Sequence, residues 1–179
     1  MDIPLISAFE CGYKLGAMAA NPEINVIANM TGTTPAAWND QAKGAELTQA
    51  QIDRGADVIY QAAGGTGIAV LQKAADAGVL AIGVDSNQNY MHPGSVLTSM
   101  LKRVDVAAYN TFMDAYKGEF TAGLQNLGLA EGGVGYAMDE FNADLMTADM
   151  TAAIDAAAAS IVAGDVTVHD YRSDNTCPM

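Results

Sequence analysis

The chain has 179 residues, half of them hydrophobic and 16% charged, and its 8 basic against 21 acidic side chains give a net charge of −13. That length and apolar content suit one domain, or one lobe of a larger protein, and exclude a disordered chain. So acidic a chain repels phosphate backbones and anionic lipid heads, which sets aside nucleic acid and membrane surfaces as partners, and no apolar run is long enough to span a bilayer.

Met1-Asp2-Ile3-Pro4 has neither the basic stretch nor the apolar core of a signal peptide, which taken alone suggests a cytoplasmic protein. The two cysteines, Cys11 and Cys177, are too few for a Cys/His metal cluster. They can pair or stay free, and buried unreactive thiols are the expectation. Short apolar runs at Ile24–Ala28, Asp57–Tyr60 and Val79–Val84 predict strands buried on both faces, as in a parallel sheet. Between them, Asn39 and Asp40 open a helix over about residues 40–54. A second helix begins at Thr66, with Ile68, Leu71, Ala74 and Ala75 on one face and Gly78 as its stop. Leu101, Val104, Ala108, Phe112 and Ala115 predict a third before Gly118. Met150, Ile154, Ala157 and Ile161 predict a fourth, capped by Thr147 and ended by Gly164. The alternation predicts an α/β fold with a parallel sheet flanked by helices. Residues 118–132 are glycine-rich and read as a crossing segment.

In such sheets ligands bind beyond the carboxyl ends of the strands, so the segments after each strand carry the functional information. Thr31 to Asp40 holds the single tryptophan, Trp38; Gln61 to Gly67 is glycine-rich; Asp85-Ser86-Asn87-Gln88 is polar. Gly64-Gly65-Thr66-Gly67 lacks the third glycine of a dinucleotide loop and the Lys-Ser/Thr of a P-loop, so it reads as a tight turn at which backbone approaches a ligand. Ser99-Met100-Leu101-Lys102 and Ser173-Asp174-Asn175 match two of three signatures of serine acyl hydrolases. The third, Lys-Thr-Gly, does not occur, and the match reads as chance. His92 and His169 are isolated loop histidines. Met138, Met146 and Met150 read as core filler. Neither a metal nor a cofactor is expected.

Longer motifs carry a resemblance. Gly55 to Gly67, Ile82 to Gln88 and Val96 to Asp105, with Phe9-Glu10-Cys11-Gly12-Tyr13, Trp38 to Gly44 and Gly132 to Asn142, together resemble the basic membrane protein family of solute-binding proteins. Its purine nucleoside receptors serve ABC transporters. The resemblance runs in order over nearly the whole chain. It implies a type I periplasmic binding protein fold of two α/β lobes, represented here by the second lobe, with the first lobe, the secretion or lipoprotein signal and the first strand of the second lobe missing before Met1. Residues 1–100 would form most of that lobe, 101–132 a crossing segment belonging to the first lobe, and 133–179 the return segment with the C-terminal helix and strand. The implied parent is periplasmic or anchored outside the cytoplasm, acts as a monomer, and passes a nucleoside to a membrane permease.

The resemblance and the strand-end argument point to one set of ligand residues: Trp38, Asn39, Asp40, Gly64, Gly65, Asp85, Gln88 and Lys102. Asp85 would accept hydrogen bonds from the hydroxyls of a ribose, Trp38 would stack on a base, and Lys102 would donate to a ribose oxygen or pair with Asp85. The alternatives are another polar solute such as a sugar, or an acyl hydrolase with Ser99 as nucleophile and Lys102 as its base.

Overall fold

The computed structural model describes residues 1–178. Among these residues are five α-helices, α1 (Pro4–Ala20), α2 (Gln41–Ile52), α3 (Thr66–Asp76), α4 (Val104–Lys117) and α5 (Ala148–Ala163). Four strands, β1 (Val58–Tyr60), β2 (Leu80–Asp85), β3 (Val96–Lys102) and β4 (Val134–Tyr136), form a sheet in that order. β1 and β2 are parallel, with Ile59 opposite Ala81; β3 and β4 are antiparallel, with Leu101 opposite Gly135. The fold is α/β, as the alternation predicts. The chain divides into two compact units: Met1–Ile82 together with the chain from Thr167 onward, and Gly83–Val166.

In the first unit the apolar face predicted for α3 packs inward at Leu71 and Ala74, whereas Ile68, expected on the same face, stands 44% exposed. Leu71 and Ala74 of α3 are wholly buried, with Val70 beside them and Ile59 and Ala81 from the two parallel strands. The Asp40 side chain accepts from the Lys43 amide at 2.9 Å and starts α2. α2 comes close to α3 because Gly44 has no side chain: a Cβ there would lie 2.8 Å from the Thr66 carbonyl oxygen. Helix α1 was not foreseen. It starts at Pro4, a residue suited to a first helical turn, without a side-chain cap at Ile3.

The second unit has a small apolar core, with Val84, Val96, Ala137 and Met146 buried. Thr147 accepts from the Met150 amide at 3.2 Å and starts α5, and Gly164 ends it as predicted. Among the described residues none in α4 or α5 is buried. Tyr109, Phe112 and Tyr116 of α4 stand 65%, 76% and 86% exposed.

Four expectations are corrected. Ile24–Ala28 is not a strand: β1 ends the sheet, and among the described residues no backbone hydrogen bond joins that run to another strand. Leu101 and Lys102 do not begin a helix; they end β3, and α4 starts at Val104. Cys11 and Cys177 are not free thiols but a disulfide, with Cα atoms 5.6 Å apart, tying α1 to the C-terminal segment. Of the three methionines read as core filler only Met146 is buried, because α5 presents Met150 outward and Met138 lies 45% exposed in the loop after β4.

Candidate functional site

In the first unit the ligand candidates form a shelf beside the start of α3. Pro35–Asn39 makes one 3-10 turn, with Ala37 buried under it and Trp38 part-exposed. A fully buried hydroxyl holds the turn: Thr66 Oγ1 donates to the Ala37 carbonyl at 2.8 Å and accepts from the Asp40 amide at 2.7 Å. The two glycines before Thr66 are needed for packing. Gly64 has a φ of 58°, and a Cβ on it would meet the Trp38 ring at 3.3 Å. A Cβ on Gly65 would meet the Asn39 side-chain oxygen at 3.1 Å and the Trp38 carbonyl at 3.2 Å. The structure therefore brings Trp38, Asn39, Asp40, Gly64 and Gly65 together. The glycines let the tryptophan turn settle on the loop, rather than leaving open space. Sequence reasoning missed Thr66, because its hydroxyl does not cap α3 but bonds across to Ala37 and Asp40, a pairing no local signal announces.

In the second unit Asp85, Gln88 and Lys102 lie around the end of β2. Asp85 closes the strand with a φ of 70°, one of two side-chain-bearing described residues at positive φ, where an L-residue is strained. Its carboxylate lies 2.8 Å from the Lys102 ammonium, and both side chains are about half exposed, at 53% and 44%. Gln88 turns inward instead. Its side-chain oxygen accepts from the Val84 amide at 2.8 Å and its own amide donates to Ser99 at 3.0 Å, so it shapes the turn behind Asp85.

That turn is braced by residues to which the sequence reading gave no ligand role. Asp139 accepts from the Asn87 side chain at 2.6 Å and the Asn89 side chain at 3.1 Å, and from the Phe141 amide at 2.8 Å. These hydrogen bonds, Asn87's first, hold its carboxyl below the ordinary carboxylate range. The wholly buried Asn142 ties the same loop to β3 through the Leu97 carbonyl at 2.9 Å.

The hydrolase signatures do not assemble a nucleophile. Ser99 is wholly buried and donates to the Asn89 side chain at 2.8 Å. Ser99 and Lys102 are three residues apart on β3, and side chains at odd separations on a strand point to opposite faces, so Lys102 is directed away from the hydroxyl it would have to activate. Ser173 ends a 3-10 turn, its hydroxyl donating to the Asp170 carbonyl at 2.7 Å. His169 is held by Asp174 and the Thr176 carbonyl. Among the described residues no group of three or more His, Cys, Asp or Glu side chains could hold a metal ion, and no helix is long and apolar enough to cross a membrane.

Residues 1–169 match the family model Bmp, described as an ABC transporter substrate-binding protein, PnrA-like. Basic membrane protein A2 of Borrelia garinii is 35% identical over 74% of the chain, which spans 39% of that relative. An uncharacterised lipoprotein of Pyrococcus furiosus is 34% identical over 76% of the chain, which spans 36% of it. The chain thus covers well under half the length of these relatives. A solute-binding protein of an Aeropyrum pernix ABC transporter superposes on 98% of the chain with a TM-score of 0.78 at 23% identity, and the chain covers 57% of it. The fold is accordingly that of ABC solute-binding proteins, and the chain belongs to the Bmp family of ABC transporter substrate-binding proteins.

Proposed function

We propose that this chain provides part of the ligand site of an extracytoplasmic receptor that captures nucleosides, purine nucleosides first among them, and delivers them to an ABC permease without chemical change. The observation that carries this reading is Asp85. A half-exposed carboxylate on strained backbone at a strand end, with an ammonium 2.8 Å away, offers an acceptor and a donor side by side. A vicinal diol presents the complementary pair, and hydrogen bonds to charged groups are the strong ones. Trp38 is the surface for the flat base, with Asn39 and Asp40 at its edge. Gly64 and Gly65 set its position, and Gln88 keeps Asp85 in place. The burial of Ser99 favours capture over covalent catalysis.

The membrane-side assignments rest on other features. The Cys11–Cys177 disulfide suits an oxidising compartment, and one relative is named a lipoprotein. The exposed aromatic side chains of α4 support assigning residues 101–132 to a crossing segment that packs on a first lobe, with 1–100 and 133–179 belonging to the second. The receptor works as a monomer.

Calorimetry with adenosine, guanosine, adenine and ribose tests the ligand. Adenosine or guanosine binds, and Asp85→Ala weakens either by about tenfold or more, since a hydrogen bond to a charged group contributes roughly 1.5–3 kcal/mol. The same change leaves adenine nearly unaffected, whereas Trp38→Ala weakens adenine and nucleoside alike by about 1–3 kcal/mol. If ribose or another sugar binds and no nucleoside does, the ligand is a sugar. If Asp85→Ala leaves nucleoside affinity unchanged, the ribose assignment is wrong.

A further inference from the structure

Asp85 does not simply continue β2. The Ser86 amide donates back to the Val84 carbonyl at 2.9 Å, which with the φ of 70° closes a γ-turn around Asp85. Such a turn is strained for a residue with a side chain, and it persists only where its surroundings hold it. One wall is the sheet. Gly83 has no room for a side chain, since a Cβ there would fall 2.5 Å from Ser99 Oγ and 2.9 Å from the Gln88 Cβ. Ser99 Oγ then accepts from the Gln88 amide at 3.0 Å and donates to Asn89 Oδ1 at 2.8 Å.

The other wall is Asp139, in the loop after β4. Its Oδ2 accepts from Asn87 Nδ2 at 2.6 Å and Asn89 Nδ2 at 3.1 Å, and its Oδ1 from the Phe141 amide at 2.8 Å. Neither asparagine can offer its oxygen instead, because both oxygens are in use. Asn87 Oδ1 accepts from the Asn89 amide at 3.0 Å, and Asn89 Oδ1 accepts from Ser99. Donors alone therefore converge on both side-chain oxygens of residue 139. A carboxylate accepts at both. An asparagine of the same shape would set its own NH2 against a donor whichever way it is flipped. The carboxylate is anchored in turn: the Asp139 amide donates to Asn142 Oδ1 at 2.9 Å, and the wholly buried Asn142 donates to the Leu97 and Ala137 carbonyls at 2.9 and 3.0 Å.

We infer that Asp139 is a positioning residue for Asp85: it clamps the γ-turn through Asn87 and Asn89, and so fixes the direction in which the Asp85 carboxylate meets a bound solute. It acts through the turn, since its acceptor bonds go to Asn87, Asn89 and Phe141. Unclamped, Asp85 relaxes toward negative φ, which takes its carboxylate off the Lys102 ammonium 2.8 Å away. The consequence for affinity rests on the nucleoside reading proposed above; the clamp itself does not.

Asp139→Asn in the full chain tests this with two readouts. Hydrogen exchange reads the turn without any ligand. The Ser86 amide should exchange about tenfold faster in the variant, the effect of losing about one net hydrogen bond. The Arg103 amide, bonded to the Gly133 carbonyl at 2.9 Å in the same unit, should keep its rate. Calorimetry reads the coupling. Asp139→Asn should weaken adenosine binding about tenfold, yet cause no further loss in an Asp85→Ala background, where no carboxylate is left to position. Adenine, which has no ribose, should bind wild type and Asp139→Asn equally, whereas a merely structural role would weaken both ligands. Should Asp139→Asn fail to fold, Asn87→Ala, which cuts the clamp from the side of the turn, takes its place with the same expectations. Ser86 and Arg103 amides that speed up alike, or a Ser86 amide that does not speed up, overturn the proposal. Losses that add in the double variant overturn it too. A wild-type chain that binds no nucleoside sinks the nucleoside reading, and the Ser86 and Arg103 rates then decide the clamp by themselves.

Discussion

At Asp85 the side chain and the backbone make opposite demands. Its φ of 70° belongs to a region that glycine enters freely and other residues enter at about 1–2 kcal/mol. Asp85→Gly therefore should raise thermal stability by up to about 1 kcal/mol and, on the nucleoside reading proposed above, should remove nucleoside binding, because the strain is relieved and the carboxylate lost together. Denaturation curves and calorimetry on the same sample check both signs; a variant that loses stability shows that the Lys102 ion pair outweighs the strain. Asp139 gives a pH prediction. Its pKa is lowered in the folded state, chiefly by the Asn87 hydrogen bond, so the stability it contributes is present above the ordinary carboxylate range and lost as pH falls through the folded value. Wild type should exceed Asp139→Asn in melting temperature at neutral pH, and the gap should close on acidification below about pH 4. A gap that stays constant with pH removes the carboxylate from the account.

Elements were legible where their signals were local. Asp40 and Thr147 cap the helices they were expected to cap, and the spacing of Leu71 and Ala74 placed them on the buried face of α3. Helix α1 carries weak signals in the sequence, because Gly12 and Gly16 lower its helix propensity and no side chain caps it. Ile24–Ala28 has strand composition and no strand, since pairing depends on a neighbour that a run's own composition does not encode. Lys102 was read onto a helix because Leu101 and Val104 fit helical spacing, yet the pairing of β3 with β4 runs through Lys102 itself. In the site, Trp38 and Asp85 stood out by type and position, whereas Thr66, Asn89 and Asn142 are ordinary polar residues whose importance lies in being wholly buried, which only packing reveals. Gly44→Ala measures how tightly α2 and α3 meet. Alanine gains up to about 1 kcal/mol of helix propensity, but its Cβ would press on the Thr66 backbone carbonyl, an overpacking cost of about 1–3 kcal/mol. We expect a net loss of stability in urea denaturation. A net gain would show that the two helices can separate freely.

Over the whole molecule, charge and covalent closure matter most. A net charge of −13 disfavours anionic solutes, so on the proposed nucleoside reading a nucleoside monophosphate should bind more weakly than its nucleoside, with a difference that shrinks as salt is added. Calorimetry of adenosine and adenosine monophosphate at low and high salt checks this; tighter binding of the phosphate would point to a local basic pocket. The Cys11–Cys177 bond spans 166 residues, and a closed loop longer than about 100 residues is worth roughly 4–5 kcal/mol in the chain-entropy account. Thermal unfolding with and without reductant should show a loss of that order. The same bond makes almost the whole polypeptide a ring. A protease cutting once anywhere between the two cysteines, at the exposed 118–126 stretch for instance, would leave a single covalent particle of unchanged mass apart from one added water. Such a nick would pass unseen on a non-reducing gel and appear as two fragments only once the ring is opened by thiol.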